Sequence, residues 1–104
     1  LRPAATAILP ALIERVARAL AMTANEIIGG SKRRPAVAAR SVVSALAVRE
    51  LGAPVVTVAR ALRVSSQSVL AGVEKGFEVL ETRHVKPAAL LAGLRNPKKP
   101  NNVP

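Results

Sequence analysis

The sequence predicts an all-α fold, a small helical bundle. Three observations point there. Half of the 104 residues are apolar, mostly Ala, Val and Leu, and Phe77 is the single aromatic side chain. Apolar residues recur at i, i+3, i+4 and i+7, the spacing of one buried helix face. Glycine and proline stand between the periodic stretches, at Gly29-Gly30 and from Gly52 to Pro54, where helices stop and start.

Taken in order, residues 1–8 read as a linker. Ile8 to Ala21 reads as a helix, with Leu9, Leu12, Ile13, Val16 and Leu20 on one face and Glu14, Arg15 and Arg18 off it. Pro10 is tolerated only in a first turn, so the start is expected at Leu9 or Pro10. Thr23-Ala24-Asn25-Glu26 is a capping-box pattern opening a very short helix through Ile28. Gly29-Gly30 ends it, and Ile27 and Ile28 are expected to tuck under the core. Ser31-Lys32-Arg33-Arg34-Pro35 is a basic loop. Ala36 to Leu51 reads as the longest helix, with Val42 or Val43, Leu46, Ala47 and Leu51 as its apolar band. Arg40 lies in its first turn, Arg49 and Glu50 on its surface, and Gly52 at its left-handed stop.

Val55 to Gly76 is the most informative stretch. A first helix is expected from about Pro54 to Leu62, burying Val55, Val58, Ala59 and Leu62. Pro54 suits a first helical position, where its missing N–H has no partner to lose. Arg63-Val64 makes the turn, with Arg63 where a small residue is common. Ser65 or Ser66 caps the next helix, whose inner face is Val69, Val73, Phe77 and Leu80. The outer face opens on Ser66, Gln67 and Ser68. This is a helix-turn-helix pattern, in which the second helix presents short polar side chains at its N-terminal turn to base edges in the major groove. Gly72 and Gly76 within that helix permit close packing, or Gly76 ends it. Glu74, Glu78 and Glu81 would repel phosphates and are expected to point away from them.

Charge narrows the function classes. Lys plus Arg is 16 against 6 acids, a net charge of +10, and the pI is near 11.8. That balance favours a polyanion, nucleic acid before an anionic membrane surface. With one Phe and no Tyr or Trp, the stacking platforms that hold single strands are missing, which favours duplex DNA. No Cys and a lone His84 leave no disulfide, zinc set or catalytic triad. No metal or other cofactor is expected, nor an enzymatic activity for this stretch. No apolar run reaches the ~18 residues of a membrane span, and no signal peptide is visible. A cytoplasmic, nucleoid-associated location follows as the expectation.

Three adjacent cations without acids repel one another unless a polyanion or solvent screens them. Lys32, Arg33, Arg34 and Arg40 are therefore the expected phosphate contacts, with an arginine available for the minor groove. Ser65, Ser66, Gln67 and Ser68 are the expected base readers, and Arg63 joins the DNA-contacting set from the turn. Glutamine can bond an adenine edge in a bidentate way.

The order of parts resembles a known family. A helix, a capped short helix, a Ser-Lys-Arg-Arg loop, a long helix ending in Arg-Glu-Leu-Gly and a helix-turn-helix together look like the C-terminal DNA-binding domain of the bacterial replication initiator DnaA. The similarity runs from about Leu9 to Leu80. Its best stretches are IERVARAL (13–20), SKRR (31–34), AVREL (47–51) and VARALRVSSQSV (58–69). The resemblance implies a Trp-repressor-like all-α fold. It also implies that Arg34 or Arg33 enters the minor groove, while Ser65 to Ser68 meet the major groove. The chain departs from the pattern where the family has arginine-aspartate-histidine and this sequence has Val64-Ser65-Ser66. The initiator's own recognition box should therefore not be read with the same contacts. The C-terminal module of REP-associated single-tyrosine transposases looks similar, in an AVRELG stretch followed by a helix-turn-helix.

The expected domain spans residues 9–82, followed over 83–104 by a weak helix from Ala88 to Arg95 and a disordered basic tail. His84 is expected to be an exposed residue of that tail. Starting on Leu1, the chain reads as part of a larger bacterial protein whose DNA-targeting domain this is, acting as a monomer or weak dimer. The alternative is a degenerate helix-turn-helix serving as a protein-interaction or dimerisation module. Its partner would dock on the second helix, where Leu70 and Ala71 lie.

Overall fold

In the computed structural model, residues 3–94 are described, with side chains from Ile8 onward. Six α-helices follow one another, and no strand occurs among the described residues. They are α1 (Pro3–Ala19), α2 (Ala24–Ile27), α3 (Arg34–Ala45), α4 (Val55–Leu62), α5 (Ser66–Thr82) and α6 (Pro87–Leu91). A π-helical turn, Leu46–Glu50, continues α3. The expected all-α fold is thus present.

α3 is the central rod. Ala36, Ala39 and every residue from Ser41 to Ala47 are buried, so the helix is covered on most of its circumference. Its most extensive partner is α5. The contact is built from small groups: Ser41, Ser44 and Ala45 on α3 against Gly72 and Gly76 on α5. Around this pair, the α1 residues foreseen as one face (Leu9, Leu12, Ile13, Val16, Leu20) are all buried. Ile27 of α2 and Val58 and Leu62 of α4 close the core with them.

The local signals at helix ends are realised. Thr23 and Glu26 form the reciprocal capping box, with the Thr23 N–H donating to Glu26 Oε1 at 2.8 Å and the Glu26 N–H to Thr23 Oγ1 at 3.2 Å. The Thr23 N–H bond, then a 3.2 Å bond donated by the Thr23 hydroxyl to Glu26 Oε1, and last the Arg33 charge hold the Glu26 carboxyl below its ordinary pKa. Gly52 turns left-handed at φ +71° after Leu51.

Four boundaries differ from expectation. α1 begins at Pro3 rather than at Leu9 or Pro10, so part of the expected linker is helical. Pro3 occupies the first helical position, where its missing donor costs nothing. Pro10 sits inside the helix on its exposed side, so the lost backbone bond faces solvent. The long helix starts earlier, at Arg34, and changes hydrogen bonding after Ala45. There the Leu51 N–H reaches back five residues to the Leu46 carbonyl at 3.0 Å. Pro54 lies just outside α4, as its N-cap. Finally, the core does not end near Leu80. Leu90, Leu91 and Leu94 are buried in the same cluster. Arg15 of α1 donates to the carbonyls of Leu90 and Ala92 and latches α6 in place. The expected basic tail from residue 95 lies outside the described residues.

Candidate nucleic-acid interface

Three residues, Arg63 to Ser65, join α4 to α5. α4 ends in a Schellman motif: the Val64 N–H donates to the Ala59 carbonyl at 3.0 Å and the Arg63 N–H to the Arg60 carbonyl at 3.2 Å. This closure puts Arg63 in the left-handed region, φ +60° and ψ +45°. An L-residue there carries roughly 1–2 kcal/mol of strain that glycine avoids. The tight turn is thus made without the glycine usual at such a place, and an exposed guanidinium stands at its corner.

Arg63→Gly is accordingly expected to raise the melting temperature by about 3–5 °C, from a net gain of about 0.5–1 kcal/mol. Thermal denaturation followed by circular dichroism checks this. A lowered melting temperature would mean that the Arg63 side chain itself holds the turn.

Ser65, not Ser66, caps α5. Its Oγ accepts the Ser68 N–H at 3.1 Å, and the Ser65 and Ser68 hydroxyls are also within 3.1 Å of each other. Of the four residues foreseen as base readers, Ser65 and Ser68 are therefore engaged with each other. Ser66 and Gln67 are exposed and make no side-chain hydrogen bond among the described residues. Glu74, Glu78 and Glu81 are exposed too. Glu74 does not turn away from the tip: it falls two turns behind Gln67 on the same stripe, about 10 Å back along the axis. A major groove is about 8.5 Å deep, so α5 can present its first turn to a groove while Glu74 stays at the lip.

The basic loop is held beside this tip by Arg40. That side chain donates to the Ile27 carbonyl at 3.0 Å and to the Ser31 carbonyl, and its partial burial lowers the guanidinium pKa from its ordinary value. Arg40 is thus committed to backbone carbonyls and positions the loop. It is not the free phosphate arm that its place in the sequence suggested. Ser31 Oγ accepts the Arg33 N–H at 3.3 Å and tightens the loop further. Lys32, Arg33 and Arg34 are exposed and make no side-chain ion pair or hydrogen bond among the described residues, though the Arg33 charge is felt by the Glu26 carboxyl.

The three cations do not share one face. Ser31 and Lys32 line a cleft whose other wall is α5, with Ser68, Ala71 and Lys75. Arg33 lines a different cleft, toward α1 and α2, with Glu26 and Arg83. Arg34 is the first residue of α3. The structure therefore brings Lys32 into the cleft beside α5 and Arg33 into a neighbouring cleft, with Ser31 bordering both. Lys75 was not foreseen. Its signal was the seven-residue step from Ser68, two helical turns, which puts both on one side of α5.

Among the described residues no cluster of three metal-ligating side chains occurs, and no helix is long and apolar enough to cross a membrane. Comparison with protein-family models, with curated proteins and with solved structures gives no match to this chain.

Proposed function

We propose that this chain binds duplex DNA, with the N-terminal turn of α5 directed at the major groove and the basic loop at the flanking phosphates. One observation carries the reading. An exposed lysine of the loop, Lys32, stands across a cleft from Ser68 at the polar start of α5, and both loop and helix are mounted on α3. A net charge of +10 supplies the long-range attraction. The order of parts that resembles the DnaA C-terminal domain supports the same ligand, in a DnaA-related or transposase-related protein. Ser65 and Ser66 in place of that family's base-reading aspartate and histidine make the contacts electrostatic in the main.

The test is binding to random-sequence duplex across a salt series. With four to six phosphates neutralised, log K should fall with log[salt] at a slope of roughly −4 to −6. No binding at low salt would overturn the proposal.

One observation favours a second reading, a docking module for another protein. Leu70 on α5 is 55% exposed next to exposed Ala71. The salt series separates the two, since a module that works only on a protein partner shows no duplex binding.

A further inference from the structure

The cleft between the basic loop and α5, ≈ 370 Å³ in volume, has the makings of a backbone clamp. Lys32 stands on one wall and Lys75 on the other, and both are exposed. Neither ammonium has a carboxylate partner among the described residues. Ser68 borders the cleft on the α5 side, and Ser44 and Gly72 line it from below. Ser44 is 2% exposed, and its hydroxyl makes no hydrogen bond among the described residues. A buried hydroxyl left without a partner is uncommon and points to a ligand or solvent contact. Glycine at position 72 keeps the wall low, since a Cβ there would lie 3.2 Å from Ser44 Oγ.

We infer that this cleft seats one phosphodiester of a DNA strand, with Lys32 and Lys75 converging on it from opposite walls. The inference rests on the DNA reading and deepens it: it adds a contact two turns up α5, beyond the tip. Two ammonium groups match the charge-assisted bonds that a phosphodiester's two free oxygens accept. The volume leaves room for the flanking sugars as well as the phosphate. Glu74 and Glu78 are exposed, about 100° and about 60° around the helix from Lys75, and neither lines the cleft.

The test uses Lys32→Gln, Lys75→Gln and the double variant, each titrated with a random-sequence duplex by fluorescence anisotropy across salt. A shared phosphate makes the double variant lose about 0.9 from the magnitude of the salt slope, an affinity drop of about eightfold at 0.1 M salt. A loss of about 1.8 would mean two separate phosphates and overturn the clamp, as would no change at all. Lys75→Arg should restore the wild-type slope. A wild-type chain that binds no duplex would instead sink the DNA reading itself. The free-anion source is separated by titrating inorganic phosphate alone. Saturable phosphate binding lost in the double variant, with the duplex slope unchanged, would put a free oxyanion in the cleft and overturn the strand. Unchanged melting curves show that the variants are folded.

Discussion

Gly76→Ala is expected to destabilise the fold by about 2–3 kcal/mol, measured by urea denaturation. A Cβ at Gly76 would lie 2.5 Å from the Ala45 Cβ and still closer to the Ser41 carbonyl oxygen. Neither is the movable end of a flexible side chain. One is a methyl fixed to α3, the other is α3 backbone. Relief requires α3 and α5 to separate along their main contact, and overpacking of this kind costs about 1–3 kcal/mol or more. Alanine recovers up to about 1 kcal/mol of helix propensity, which softens the loss without reversing it. Gly72 provides the internal comparison. Its Cβ would meet Ser41 Cα at 3.1 Å and Ser44 Oγ at 3.2 Å, distances that a small shift accommodates. Gly72→Ala should therefore stay within about 1 kcal/mol of the parent, because propensity offsets crowding. Equal stability of Gly76→Ala and the parent would mean that the two helices are not held this close.

The second large effect is on binding. Neutralising Lys32, Arg33 and Arg34 together with glutamine removes three unpaired cations and none of the side chains that hold the fold. At about 0.9 per phosphate, with Lys75 still holding the phosphate it shares with Lys32, the salt slope should lose about 1.8 of its magnitude, and affinity for duplex at 0.1 M salt should fall on the order of 60-fold. Because Arg33 faces a different cleft from Lys32, the single variants should differ, and the loss from Lys32→Gln should depend on Lys75 while that from Arg33→Gln does not. A triple variant with the parent's slope would place the cationic surface elsewhere, and Arg60 and Arg63 on α4 and its turn would be the next to examine.

What was legible in the sequence was local. The capping box at Thr23, the stop at Gly52 and the cap at Ser65 each depend on a few adjacent residues, and the buried stripe of α1 follows from its period alone. What escaped depends on contacts between distant parts. Pro10 looked like a helix start because its cost is set by which way the ring faces, and that is decided by packing. Arg40 looked like a phosphate arm, since its two carbonyl acceptors lie nine and thirteen residues back. The tail looked weak because the three leucines of its end gain their value only against α1. Gly76 could be read as a stop or as a contact, and only the approach of α3 decides. Lys32, Arg33 and Arg34 were read as one patch, yet successive residues entering a helix point to different sides.

Mounting the loop and the α5 tip on one helix has a consequence for whatever they hold. Arg40 fixes the loop to α3, and the Gly72 and Gly76 contacts fix α5 to the same helix through backbone, with no long side chains between to yield. The surface is preorganised and surrenders little conformational freedom on association. It also cannot adjust its own spacing. For the proposed duplex ligand, any mismatch between loop and tip must be absorbed by the DNA. Steps that bend or narrow at low cost would then be preferred even where no side chain touches a base. On that reading the chain would choose among sequences by their stiffness, with serines rather than larger side chains at the start of α5.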